Sequence, residues 1–323
     1  MNRCFALILL IIITLPSQIA GQETSYGTGY QMIMRDNPAF SGSETDGKLR
    51  LSYLNFYPGN NYNLHSVYAS YDSYFPRIHG GAGLYFSNDY LGGIVNDVRC
   101  GLSYAYFLQA GENIYINAGL SAALYHRGFS FGNAILPDQI NPLEDIVLPS
   151  GEALAASGRT VFDIGAGFLF ISGKIIGGVS INHLSEPDLS SSGLLNETIN
   201  RKLNLQLAGD FNMGKKANLK LRPLATLEMQ RKFLSGGAGA VFESSFISFS
   251  LLAIGSNENN LDLQTGFSLH SGKLNFFYNY RFNLISGNNK MMPFSLLYQT
   301  GLAFSLNHFD KRNSVKTINY PKL

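Results

Sequence analysis

Residues 274–284 read LNFFYNYRFNL. Leu274, Phe276, Tyr278, Tyr280, Phe282 and Leu284 fall on one face of an extended chain, and Asn275, Phe277, Asn279, Arg281 and Asn283 on the other, because successive side chains of a strand point to opposite sides. One face is an unbroken apolar and aromatic stripe; the other carries three Asn and an Arg. A stripe of about eleven residues is what a tilted strand needs to cross the hydrocarbon core of a bilayer. The fold turns on whether this is one strand of a soluble sheet or one stave of a membrane barrel.

The same pattern recurs along the chain. Residues 48–57, 64–75 and 80–88 read as the first three strands. In 98–109, Val98, Cys100, Leu102, Tyr104, Tyr106 and Leu108 face out, against Arg99, Gly101, Ser103 and Ala105. In 114–127, Ile114, Ile116, Ala118, Leu120, Ala122 and Leu124 oppose Asn117, Ser121 and Arg127. Further strands are expected over 160–171, 175–184, 202–213, 218–230, 235–243, 246–256, 260–270 and 294–306. Short turns fall at 76–79, 110–113, 172–174, 214–217, 243–246 and 271–273, and longer connections at 88–97, 129–158, 185–201 and 285–293. Short turns at one end and longer loops at the other are the asymmetry of an outer-membrane barrel, and an even strand number is its rule. About fourteen strands are expected, in an all-β, up-and-down, antiparallel transmembrane barrel. A soluble sandwich or propeller is disfavoured, because one face is so consistently Asn, Gln, Ser and Gly while the other is Leu, Phe and Tyr.

Composition agrees. The 323 residues are 14% charged and 13% aromatic, with 18 Tyr, 23 Phe, 34 Gly and no Trp, against about a quarter charged in ordinary soluble domains. Mean hydropathy is +0.02. No stretch beyond the N-terminus reaches the ~18 consecutive apolar residues of a membrane helix. A net charge of +2 supplies no basic field, so nucleic acid is not an expected partner. Arg3, the apolar run Phe5–Leu15, Pro16 and the small residues Ala20 and Gly21 read as a cleaved secretory signal over 1–21. Segment 22–47 is then an N-terminal periplasmic segment, 48–306 the barrel and 307–323 a periplasmic tail. Cys4 leaves with the signal, and Cys100, the one cysteine left, reads as a small apolar residue on an outer face.

Signals for chemistry are weak. His65, His79, His126, His183, His270 and His308 show no metal-ligand spacing, and neither a metal nor a cofactor is expected. Ser180 and His183 lie three apart on one strand and so face opposite sides. Ser268 and His270 share the inner face, but such pairs arise by chance in a Ser-rich barrel, and a hydrolase needs a third, orienting group. The glycines of GGAG at 80–83 and 236–239 suit close strand approach or bends. The inner face carries charges of both signs: Arg99, Arg127, Asp163, Asp210, Arg222, Glu228, Asp262 and Arg281. An ion-selective pore concentrates one sign at a constriction, so mixed charges favour a closed or narrow lumen.

Residues 31–43 read QMIMRDNPAFSGS, with Asn37, Pro38, Ala39, Phe40 and Gly42 in the pattern Asn-Pro-Ala-aromatic-x-Gly. This resembles the N-terminal signature of the PorP/SprF family of type IX secretion outer-membrane proteins. SVYASYDSYF with Asp72, Phe162-Asp163-Ile164-Gly165, and SINHLSEPD with Asn182, His183 and Pro187 resemble later family segments. The chain departs from the family in lacking the Trp that members often carry on the second strand. The resemblance implies an exported, non-enzymatic component of a Gram-negative outer membrane. It would aid export or surface retention of secreted proteins bearing type IX C-terminal domains, in some members a gliding adhesin. Partners would be membrane lipid, a secreted C-terminal domain held by loops 129–158 and 185–201, and periplasmic or peptidoglycan-linked parts of the machine. The rival readings are a passive channel for small or hydrophobic molecules and, remotely, a lipid enzyme using Ser268 and His270.

Overall fold

The computed structural model describes residues 32–44, 47–59, 64–130, 140–141, 146–147, 157–190, 198–213, 219–286 and 294–306. The signal reading of 1–21, most of the 129–158 loop and the tail 307–323 lie outside them. The described chain is almost entirely strand: β1 Lys48–Phe56, β2 Leu64–Phe75, β3 Gly80–Leu91, β4 Val95–Gln109, β5 Ile114–Phe129, β6 Ser157–Ser172, β7 Ile175–Asn182, β8 Lys202–Gly209 continued by Phe211–Met213, β9 Leu219–Gln230, β10 Phe233–Glu243, β11 Ile247–Ser256, β12 Leu261–Ser271, β13 Leu274–Ile285 and β14 Ser295–Ser305. The two pieces of β8 are one strand, because the register runs unbroken across Asp210, with Ala208 opposite Leu224 and Phe211 opposite Leu221.

Each strand pairs antiparallel with its neighbours in the chain, and β14 returns to β1, from Lys48↔Ser305 to Phe56↔Leu297. The result is a closed fourteen-strand barrel. Closure matters in lipid, where no water can satisfy the N–H and C=O groups of an open edge. Both ends of the wall meet at the end bearing the tight turns, where the Leu306 amide donates to Gly47 O at 2.7 Å.

The expected faces hold. Leu102 and Leu120 are 65% exposed on the outside, while Arg99, Ser103, Asn117, Gln264, Asn279 and Arg281 are buried inside. Cys100 is exposed on the outer face. The lumen is filled. Tyr68, Leu169, Leu224 and Leu252 join Met32, Met34, Ala39 and Phe40 in one buried cluster. Fully burying a side chain such as Phe40 contributes on the order of 2–3 kcal/mol.

Three expectations are corrected. The connection expected at 88–97 is only Gly92–Ile94, reversed at Gly92 and Gly93 with φ of 66° and 79°. Asp89 and Asp97 are instead buried lumen groups on extended strands. The long-loop asymmetry is also incomplete: β9 and β10 are joined by two residues at the far end, Arg231 and Lys232. The largest correction concerns residues 32–43. The stretch expected outside the wall lies within the lumen.

Candidate functional site

The motif NPAFSG folds as a capped turn. Asn37 Oδ1 accepts from Ala39 N at 3.0 Å, Pro38 opens a 3-10 turn over Pro38–Phe40, and Gly42 follows in the left-handed region, φ 68°. A short polar cap, a proline in the first position and a glycine after the end are what such a turn requires. Before it, Ile33–Asp36 form a single helical turn, α1. Neither pairs with a strand of the barrel.

This strap runs around the inner wall from β8 back to β1. At its start, Ser180 Oγ (2.5 Å), Asn182 Nδ2 (3.2 Å) and Asn204 Nδ2 (3.2 Å) all donate to Asp36 O. Asn37 Nδ2 donates to Phe168 O at 3.4 Å and Asn117 Nδ2 to Ala39 O at 3.4 Å. Ser41 Oγ meets Ser103 Oγ at 2.7 Å. At the other end Asp72 Oδ2 accepts from Gly42 N at 2.8 Å. Asp72 also pairs with Arg50, whose second guanidinium nitrogen reaches Glu44 at 2.9 Å. Glu44 takes Lys48 Nζ at 2.7 Å.

The strap fits because the wall beneath it lacks side chains. A Cβ at Gly119 would fall on the backbone of Pro38 and Ala39, one at Gly167 on Asn37, and one at Gly81 on Ser41 and Gly42. These are inward positions on β5, β6 and β3.

Of the residues singled out from the sequence, Asn37, Pro38, Ala39, Phe40, Gly42, Asp72 and Asn182 converge on the strap. Asp163 and His183 stand just beyond it. His183 follows the end of β7 with φ 57°, so strand alternation no longer governs it, and its Nδ1 lies 2.7 Å from Asp163 Oδ2. Ser180 and His183, expected on opposite faces, are therefore both buried inside. Pro187 lies apart, in the loop after β7, where its carbonyl accepts from Ile199 N at 3.0 Å. Leu189 and Ile199 of that loop pack on Tyr125. Between strap and loop is a cavity of about 20 Å³ lined by Arg35, Arg99, Asp163, His183 and Lys202, among others, with room for about one water.

The lumen charges are paired or stacked. Arg127 grips Asp97 at 2.7 and 2.8 Å, and Arg99 lies 4.2 Å over the Tyr125 ring. Arg222 pairs with Glu243 and stands 3.5 Å from Asp210. Glu228 takes Lys202 at 3.3 Å. Arg281 Nη2 donates to Gln264 at 3.0 Å, and Asn283 to Asp262 at 2.9 Å. Asp89, Asp97, Lys202, Glu243 and the Glu44–Lys48–Arg50 group were missed from sequence. Inward position on a strand was the available signal for all of them but Glu44. His270 bonds Ser248 at 2.6 Å, across to β11, and not Ser268.

The family model described as "Type IX secretion system membrane protein PorP/SprF" matches residues 19–290. No curated protein matches the chain. Among solved structures it is similar to the Pseudomonas putida toluene transporter TodX, at 12% identity and a TM-score of 0.50 over 90% of this chain and 97% of that one. It is also similar to the monoaromatic hydrocarbon channel CymD, at 13% identity and a TM-score of 0.50 over 89% and 95%. At these identities the likeness is one of fold.

Proposed function

Because the chain belongs to the PorP/SprF family of type IX secretion system membrane proteins, we propose that it is a non-enzymatic outer-membrane component of that pathway. It aids export or surface retention of a secreted protein, an adhesin of a gliding cell among the candidates, and does not itself conduct solutes. The observation that carries the last point is the filled lumen. Ala39 and Phe40 of the strap are wholly buried across it, so a free passage of the porin kind has no room on that side of the barrel.

The orientation follows from barrel architecture, in which tight turns face the periplasm. On that reading Gly47 and Leu306 lie at the periplasmic end, near the machine's periplasmic and peptidoglycan-linked parts. The loops 129–158 and 185–201 then face outside and hold the secreted C-terminal domain, since loops on a rigid scaffold usually carry recognition. The exported precursor with a signal over 1–21 belongs to the same proposal.

Gentle pull-down from native membranes is the test. The expected result is co-purification of a secreted protein through its C-terminal domain, with loss of that protein from the surface when the barrel is deleted. Recovery of no such partner, together with unchanged secretion after deletion, overturns the reading. Free conductance by the purified wild-type barrel would overturn the closed-lumen part of it.

A further inference from the structure

We propose that residues 32–43 are a displaceable plug and that the wall beneath them is a latent pore for water and small hydrophilic solutes. Three observations carry this.

The wall is complete without the strap. β1 pairs β14 and every other strand pairs its neighbours, while the strap adds no ladder to the barrel. It is held by the burial of Met32, Met34 and Phe40, by the Arg35–Asp89 pair at 3.7 Å, and by single hydrogen bonds to Phe168 O, Ser103, Asp72 and its own carbonyls at Arg35, Asp36 and Ala39. Such bonds break one at a time, whereas a strand must leave its whole ladder.

The seat is polar beyond what the strap uses. Asn117 Oδ1, Asn204 Oδ1 and Gln206 Oε1 are buried with no hydrogen-bond partner among the described residues. Each is an amide oxygen, a strong acceptor that water in a vacated lumen would meet. Apolar side chains at those positions would make a better permanent core. These amides suit a seat that water enters once the strap leaves.

The seat is also hollow. Gly81, Gly119 and Gly167 leave a depression in the wall that the strap fills, with its backbone at Gly81 and Gly119 and with the Asn37 side chain at Gly167. With the strap gone, the lining mixes hydroxyls, amides and bare backbone with the side chains of Tyr68, Tyr85 and Leu169, with Asp72 beside Arg50 at one end and Asp163 beside His183 at the other. Lacking a one-sign ring, such a passage selects weakly among ions.

The test is conductance of the full-length barrel in planar bilayers, with folding checked by heat-modifiable migration. Gly119→Val drives a side chain into the backbone of Pro38 and Ala39 and should raise open-channel probability at least tenfold over wild type. Should that variant fail to assemble, the double variant Asn182→Ala, Asn204→Ala takes its place: it leaves the wall backbone intact and removes two of three donors to Asp36 O. Gly177→Ala, at a glycine with open space around it, should stay closed. In a Cys100→Ala background, Ser41→Cys should react with a water-soluble maleimide only when combined with an opening substitution. Folded opening variants as closed as wild type, with the thiol introduced by Ser41→Cys unreactive in them, overturn the latent pore and leave the secretion reading standing. A wild-type barrel that already conducts overturns the closed lumen instead.

Discussion

The amide of Gly42 donates to Asp72 Oδ2 at 2.8 Å, so the motif glycine and the second strand's aspartate act as one fastening. The same carboxylate binds Arg50, and both side chains are at most 8% exposed. Removing one partner of a buried ion pair leaves the other charge uncompensated and typically costs about 3–5 kcal/mol. Asp72→Asn should lower barrel stability by about 3 kcal/mol in urea titrations on this basis. Arg159→Ala, which removes a pair whose side chains are 45% and 46% exposed at 3.5 Å, should cost under about 1 kcal/mol. Equal effects would mean that Asp72 is an ordinary surface-like acid.

Phe40 is wholly buried in the lumen, and Leu120 is 65% exposed to the surroundings of the wall. Phe40→Ala should cost about 3–5 kcal/mol through a cavity the closed wall cannot collapse. Leu120→Ala should cost far less, since lipid tails fill the space, but Leu120→Arg should cost about 2–4 kcal/mol near the bilayer midplane. Refolding yields into lipid vesicles read all three. Tolerance of Leu120→Arg would mean that this face is not lipid-exposed.

The barrel was legible in the sequence because its signal is local. Period-two alternation in 98–109 or 274–284 needs no knowledge of the partner strand, and it assigned Arg99, Ser103, Asn279 and Arg281 to the inside. What alternation cannot give is the destination of a segment that is not a strand. Asn37 finds Phe168 O across 131 positions of chain, and nothing near Asn37 encodes that. The wall did hold a trace of it: glycines at inward positions of β3, β5 and β6. Taken strand by strand, each reads as a bend; taken together they mark the strap's seat. The opposite error arose at 88–97, where Asp89 and Asp97 look like loop residues because the same types solvate loops and line a closed lumen.

Asp188 lies outside the wall, in the loop after β7. The Ser190 hydroxyl donates to its Oδ1, the Ser190 amide does so at 2.9 Å, and Arg159 stands 3.5 Å away. These hold its carboxyl below the usual range. A carboxyl lower in the folded loop than in the open one stabilises the folded loop above the ordinary value of about 4, and the contribution fades as pH falls through the lowered value. Amide protection at Ser190 and Ile199 should therefore hold down to about pH 4 and drop below it. Asp188→Asn should flatten that profile. A drop centred near neutrality would assign the loop's pH response to another group.

Arg222 is 1% exposed between Asp210 and Glu243, with Lys220 3.8 Å from Asp210 on the rim. If the lumen charges serve structure, each group's worth depends on its partners and not on its charge. Arg222→Met alone leaves Glu243 without its partner and Asp210 with only the rim Lys220, and should cost about 3 kcal/mol. The triple change Arg222→Met, Asp210→Asn, Glu243→Gln removes the arginine with both acids, leaves only the solvent-reaching Lys220 on the rim, and should recover most of that loss, because replacing a buried ion network by groups of similar volume is often neutral. A thermodynamic cycle over the single, double and triple variants, read by urea unfolding in vesicles, measures the coupling. Additive losses would show that the charges act independently, and that Arg222 is held in the lumen for something other than neutralising its two neighbours.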